Sequence, residues 1–583
     1  MSEPRGRFRP SLTFAVLLLL LAVVLWVKRD FALPPVPPEQ EQFIAPHAAQ
    51  ESPLGKDQGH VVSYVLEQPK MLNPFCTTSA VARKYVHGFT HDALLDLDPV
   101  TGDLRPALAT DWQLDADGTT LLMTLREGVQ FADGSALTLD DVLFTFEVAR
   151  GKNVVLGQIA AGLNLVSSCA VVPFSKTQIK IVLRKKHYDA VRLVGTSFVV
   201  GKRRYFEARI AELARQSGVA VPTPDDEGFG ALLAQVMDQG PGTGAYALPV
   251  DDSGHSDWRG ELLLLRNEHS WARRAHVGSW NFAAIRIRYL ADPAAQFVAL
   301  RERSLDFYQL PDLDQVLASD ASLAQDYRKV VYPLSYFSCY LVQWNLRRPV
   351  MQDVRVRQAM SMLFDRSAIV QNLLSGNGTK AVAFSMPGRV GYPQLPVPAC
   401  DPAAARRLLR EAGFDPAVGK PLRLTVLAPA ENPLFRQILE LAADAAQKAG
   451  VELVHIELDS RAREERRDRG DWDGMLGNKT DVTGACDPYE TFHSAGAANV
   501  MGYADAKVDA LLERARSTMD ADLRQSVFLA VHQSIAKAQP VCFLVHPRAA
   551  MLINAHFRDA NPGPLGLWPE LFWLPRQFQR TLR

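Results

Sequence analysis

Cysteine is scarce in this chain: there are six in 583 residues, Cys76, Cys169, Cys339, Cys400, Cys486 and Cys542. That density excludes a fold built on a disulfide scaffold. No two of them are spaced CxxC, so a local zinc or redox motif has no support. Pairing in an oxidising compartment stays open, because sequence alone cannot assign it. An excess of either charge is also missing, since 64 Lys+Arg balance 64 Asp+Glu. Bulk electrostatics therefore gives no ground for a nucleic-acid partner, and none is expected. Long apolar runs are confined to one place near the N-terminus, which excludes a polytopic membrane protein. HExxH, GxSxG, Walker and EF-hand patterns are all absent. His87 and His91, four residues apart, come closest to ligand spacing, and they read more simply as helix-surface or core-edge histidines. These absences point to binding rather than chemistry: no catalytic residue, cofactor or metal site is expected. What remains, 47% hydrophobic and 22% charged residues, is ordinary globular composition.

The one apolar run extends from Leu12 to Val27, broken only by Thr13 and preceded by Arg5, Arg7 and Arg9. About sixteen residues rise roughly 24 Å as a helix, slightly less than a ~30 Å hydrocarbon core. A signal peptide and a signal-anchor both fit that length. The run ends in Trp26-Val27-Lys28-Arg29, with no small-x-small cleavage site and no neighbouring cysteine to carry a lipid. An uncleaved anchor is the favoured reading: a basic segment over 1–10, a transmembrane signal-anchor over 11–28 and an N-in orientation. Prolines 34, 35, 37, 38, 46 and 53 keep residues 29–58 from forming helix or sheet, so this stretch reads as an extended spacer. The globular body, residues 59–583, is then expected in the periplasm or extracytoplasmic space of a single-pass protein of the cell membrane.

Within the body, turn and helix signals alternate. Asp117-Gly118 and Asp133-Gly134 supply the positive φ of tight turns, the first before a strand over 119–125, the second after a strand through Phe131. Thr138 precedes Asp140 and Asp141 as a helix start. Gly240-Pro241-Gly242-Thr243-Gly244 lacks both G-x-G-x-x-G and a Gly-Lys-Ser/Thr ending, so it does not read as a phosphate cradle. Asp401-Pro402 opens a helix that Gly413 ends. Residues 422–427, 434–449 and 451–458 read as strand, helix and strand, a β-α-β unit with parallel strands. Residues 541–545 form a buried strand. The mixed-sign run Arg463 to Arg469 reads as a solvated helix face.

The order of these motifs resembles one family, the large extracellular solute-binding proteins of ABC importers, family 5 (the oligopeptide-, dipeptide- and nickel-binding type). The resemblance runs from about residue 61 to the C-terminus. It is carried by His91-Asp92-Ala93-Leu94-Leu95 through Pro106-Ala107-Leu108-Ala109, Trp112 and Asp140-Asp141-Val142. Gly242-Thr243-Gly244-Ala245-Tyr246 resembles a GTGPY loop with Ala245 in place of proline, followed by Trp271. Trp344-Asn345, Asp353-Val354-Arg355-Val356-Arg357, Asp365-Arg366, Asp401-Pro402 and Gly413-Phe414 complete the pattern.

The resemblance implies a two-lobed α/β periplasmic binding protein fold of type II, with an extra N-terminal subdomain in the first lobe. The expected bounds are 59–275 for the first lobe, 276–544 for the second and 545–583 for the return to the first. It further implies a monomer that encloses a small solute between its lobes and passes it to permease subunits. A peptide leads among the ligands, with an oligosaccharide, an opine-like compound or a nickel complex as alternatives, or sensing without transport. Asp481 aligns with the aspartate that holds a peptide's α-ammonium, flanked by Asn478 and Lys479; Lys479 could instead pair with Asp481. Thr77, Thr78 and Ser79 are expected along the ligand in an extended segment. Tyr246 sits where family tyrosines approach the ligand, or in the core. Trp271 and Trp344 read as core.

Overall fold

The computed structural model describes residues 60–580 apart from 78, 100, 152–153, 155–159, 251–257, 259, 277, 310–312, 334–336, 387–391, 431, 482–486 and 564–565. The basic segment, anchor and proline-rich spacer expected over 1–58 lie outside the described residues. Among the described residues no helix is long and apolar enough to cross a membrane.

Hydrophobic periodicity becomes structure most plainly in the β-α-β unit. The helix Pro433–Ala449 buries Phe435, Ile438, Leu439, Ala442, Ala446 and Ala449, one face at helical spacing. Asn432 caps it through Leu434 N at 3.2 Å, Pro433 fills its first turn, and Gly450 ends it at φ 83°. The flanking strands Leu422–Pro429 and Val451–Leu458 pair in parallel, Leu422 opposite Val451 and Pro429 opposite Leu458. At the expected helix start, the Asp141 carboxylate reaches back to Thr138 N at 2.9 Å and also takes Arg203 N at 2.9 Å, tying two helices together. Asp401 accepts from Ala404 N at 2.8 Å and opens Pro402–Glu411 as expected. Residues 126–131 differ from expectation. They form a turn at Gly128 (φ 69°) and then a tight hairpin, with Gln130 bridged to Ala136, Phe131 N bonded to Ser135 O at 2.8 Å and Leu137 N to Val129 O at 2.9 Å.

A ladder of twelve strands runs through both lobes. On one side stand Val451–Leu458, Leu422–Pro429, Gly474–Asp481 and Phe337–Trp344; on the other stand Phe307–Tyr308, Val61–Val65, Ala284–Arg288, Glu261–Arg266 and Tyr246–Ala247. The 14-residue strand Val541–Asn554 joins them. Its first residues pair with Phe337–Trp344, and its last, from Arg548 to Asn554, pair with Tyr327–Pro333. The strand Val541–Asn554 therefore crosses between the lobes, with Tyr327–Pro333 paired to its second half and Phe337–Trp344 to its first. A separate antiparallel sheet of four strands, Ala109–Leu114, Thr120–Leu125, Gln178–Leu183 and Val166–Val171, forms the extra subdomain of the first lobe.

The expected lobe boundary at 276 is corrected by this topology. Ala284–Arg288 pairs with Val61–Val65 along its whole length, and Phe307–Tyr308 and Tyr327–Pro333 also lie in the first lobe's half of the ladder. The chain changes lobe between the strands Tyr327–Pro333 and Phe337–Trp344. The apolar cores divide at the same place: Phe307, Tyr332 and Met551 pack with the first lobe, and Val342, Leu424 and Leu544 with the second. Sequence periodicity locates a strand but does not name its partner, so the reading placed these three strands in the wrong lobe.

Candidate functional site between the lobes

The strand Gly474–Asp481 runs antiparallel to Phe337–Trp344 and ends where the chain crosses between lobes, with Asp481 opposite Phe337. Successive residues of a strand point to opposite faces. Lys479 therefore takes one face of the sheet, and Asn478 and Thr480 the other. Lys479 stands opposite Cys339, whose side chain is buried in a core with Phe337, Leu341 and Val531. Lys479 is half-buried, and that burial, with the nearby charge of Arg467, lowers its pKa. Asn478 is exposed opposite Tyr340, and its Oδ1 accepts a hydrogen bond from Ser338 Oγ at 3.1 Å. The register thus places Asp481, Lys479 and Asn478 at one strand end, with Lys479 and Asn478 on opposite faces.

The first-lobe candidates are arranged differently from expectation. The Asn73 carbonyl takes Cys76 N at 3.3 Å and Thr77 N at 3.0 Å, so the chain turns here instead of running extended. Thr77 is buried, and its Oγ1 accepts Ser79 N at 3.2 Å. Ser79 Oγ accepts Ala82 N at 3.2 Å, the work of a helix cap. Thr78 lies outside the described residues. Tyr246 is corrected to a core residue: it is fully buried, its hydroxyl donates to Phe282 O at 3.3 Å, and its ring packs edge-on against Trp280. Burial pushes its pKa up.

The glycine loop serves packing. A Cβ on Gly242 would lie 2.0 Å from Thr90 O, and one on Gly244 would lie 2.5 Å from Phe89 O. These glycines let the loop lie directly on residues 89–91. Thr243 then donates to Asp92 Oδ2 at 2.7 Å, and Trp271 Nε1 donates to the same oxygen at 2.7 Å. Burial raises the Asp92 pKa to about 6 despite those two bonds. The Arg126 guanidinium covers the Trp271 ring at 4.3 Å. His87 and His91 are both buried: His87 Nε2 hydrogen-bonds Leu72 O at 2.7 Å and His91 Nδ1 meets Thr90 Oγ1 at 2.9 Å. Among the described residues no group of three His, Cys, Asp or Glu could hold a metal ion. A second polar seam between the lobes, around Tyr188 and Arg516, carries no local motif, and the sequence reading missed it.

Two α/β lobes joined by crossing strands, with a strand end delivering polar groups to the junction, define a two-lobed periplasmic binding protein. The model of the bacterial extracellular solute-binding proteins, family 5, matches residues 103–499, and the chain belongs to that family. Among its relatives is the oligopeptide-binding protein AppA of Bacillus subtilis, 23% identical over 446 residues, covering 73% of this chain and 75% of that protein. A probable ABC transporter-binding protein of Deinococcus radiodurans is 24% identical over 475 residues, 75% of this chain and 73% of that one. The solved structure of B. subtilis AppA in complex with a nonapeptide superposes with a TM-score of 0.71 at 20% identity, covering 89% of this chain and 100% of that one.

Proposed function

We propose that this protein captures peptides between its two lobes and hands them to the permease of an ABC importer, while a helix over residues 11–28 holds it at the cell membrane. The family match across 103–499, which takes in the strand ending at Asp481, carries this reading. Relatives named as an oligopeptide-binding protein and a probable ABC transporter-binding protein support its two halves. Capture needs no covalent step. Hinge motion in the crossing strand Val541–Asn554 lets the lobes close, and contacts with the solute shift the open–closed balance.

In this reading Asp481 takes the peptide's α-ammonium in a charge-assisted hydrogen bond. Lys479, two residues before it, faces an acidic group of the solute or tempers Asp481, and Asn478 contributes beside them. Thr78 and Ser79 border the cleft. Thr77 and Tyr246, both packed, make no ligand contact.

Thermal unfolding against di- to pentapeptides, their N-acetylated forms, oligosaccharides and Ni²⁺ complexes tests this. A solute at 100 times its Kd adds about 2.7 kcal/mol to stability. Free peptides are expected to raise the Tm; acetylation or Asp481→Ala is expected to abolish the rise. Stabilisation by a sugar or a nickel complex, with no response to any peptide, overturns the peptide assignment and leaves the family intact.

A further inference from the structure

The lobes meet a second time, away from the crossing strands. In the first lobe, the strand Gln178–Leu183 is followed by Arg184-Lys185-Lys186-His187-Tyr188 and then the helix Ala190–Thr196, whose first amide, Ala190 N, bonds back to His187 O at 3.1 Å. Opposite lie second-lobe residues 487–490 and the helices Ala506–Ser517 and Ala521–Ala538. Tyr188 N donates to Arg516 O at 2.8 Å, a backbone hydrogen bond from one lobe to the other. The Arg524 guanidinium lies 4.4 Å above the Tyr188 ring, and Phe528 meets that ring edge-on at 6.0 Å. His187 stacks on Tyr188 at 5.1 Å and places Nε2 3.9 Å from Asp487 Oδ2.

The second-lobe side of this seam is held by bonds within its own lobe. Arg516 donates to Asp487 Oδ2 at 2.6 Å and to Glu490 Oε1 at 3.1 Å, and its guanidinium covers Tyr489 at 3.6 Å. Arg524 is aimed by its own lobe through Thr518 O at 3.0 Å and Met519 O at 2.9 Å. A platform whose charges are already paired loses little freedom when a partner arrives. The partner is one stacked His-Tyr pair on a short loop, and the contact is small and polar. It forms and breaks without disturbing either core, whereas the crossing strands are bonded along their length.

We infer that His187 and Tyr188 latch onto the platform of Asp487, Arg516, Arg524 and Phe528 and hold the cleft closed, so that these residues set how firmly the solute is retained without touching it. This rests on reading the cleft as a solute site. The solute's apparent Kd scales inversely with the share of binding-competent molecules, so a tenfold loss of closed form weakens capture tenfold. The latch residues are positioning residues in this sense.

Amide hydrogen exchange of the full chain, with no solute added, reads the latch directly through Tyr188 N–H. Arg524→Ala and Phe528→Ala are each expected to speed exchange at Tyr188 by about tenfold or more, Arg524→Lys to restore most of the protection, and the sheet amides of Ile179 and Ile181 to stay unchanged. Fast exchange at Tyr188 in the unsubstituted protein, or protection indifferent to both alanine variants, overturns the latch. If exchange at Leu424 and Val426 shows that a platform variant has loosened its own lobe, Tyr188→Ala in the other lobe takes its place. Labels at the exposed Cys400 and at Lys180→Cys then report the interlobe distance. A longer distance in the solute-free Tyr188→Ala variant supports the latch, and an unchanged one overturns it. Because no solute enters this assay, its failure is separate from failure of the peptide assignment.

Discussion

Each lobe packs an ionisable side chain from the family pattern into its interior edge or core, of opposite sign and satisfied in opposite ways. In the first lobe Asp92 gathers side-chain donors, Thr243 and Trp271, on one carboxylate oxygen. In the second, Arg366 is 3% exposed and spends its donors mainly on backbone carbonyls, Phe543 O at 2.8 Å, Ser361 O at 3.0 Å and Pro398 O at 3.3 Å, with Ser361 Oγ at 3.0 Å. Arg357 does likewise, donating to Ala538 O and Gln539 O at the C-terminal end of the helix Ala521–Ala538. A planar guanidinium with five donors suits a cluster of orphan carbonyls; a carboxylate, which only accepts, needs donors brought to it. Asp92, Arg357 and Arg366, which belong to the family pattern, therefore knit loops to their neighbouring elements.

The sharpest way to break this contrast is Arg366→Met. It leaves several buried carbonyls without donors and is expected to cost about 3–5 kcal/mol. Denaturant unfolding measures it, and a loss below about 1 kcal/mol would make the carbonyl cluster incidental.

Acid comes next in size and acts on the first lobe. Burial lowers His87 to about 4 and His91 to about 3. Their neutral forms contribute stability that is complete above the ordinary histidine pKa of ~6.5 and is lost as pH falls, about 3 kcal/mol for His87 by pH 4. Asp92, raised to about 6, runs the other way, because the folded protein keeps a proton there that the unfolded chain releases. Unfolding free energies at pH 7, 5.5 and 4 should flatten in His87→Gln and fall more steeply in Asp92→Asn.

The smallest effect belongs to Tyr246→Phe. Its hydroxyl has only the 3.3 Å bond to Phe282 O to lose, so the expected cost is below about 1 kcal/mol, with solute-induced thermal shifts unchanged. A vanished shift in that variant would return Tyr246 to the site.

Much of the fold was legible. The Asp401 and Thr138 helix starts, the β-α-β unit and the buried 541–545 strand depend on neighbours within one or two turns, and they stand where the residues put them. The candidate site was legible in identity more than in arrangement. Asp481, Lys479 and Asn478 do end one strand, but their faces follow from the pairing with Phe337–Trp344. Tyr246 lies two residues from Gly244 in a motif that reads equally as site or core, and only the Phe282 carbonyl and the Trp280 ring decide for the core.

By itself the sequence determined the helices and strands, the family and the apolar run that suggests an anchor, because caps, turns and periodicity act over a few residues. Tertiary structure alone decided that the strands Ala284–Arg288, Phe307–Tyr308 and Tyr327–Pro333 belong to the first lobe's half of the ladder, which residues stand opposite Gly474–Asp481, and that Tyr188 meets Arg516 between the lobes. Those outcomes rest on register and on contacts hundreds of residues apart, where the energy of pairing belongs to both partners and neither stretch carries it alone.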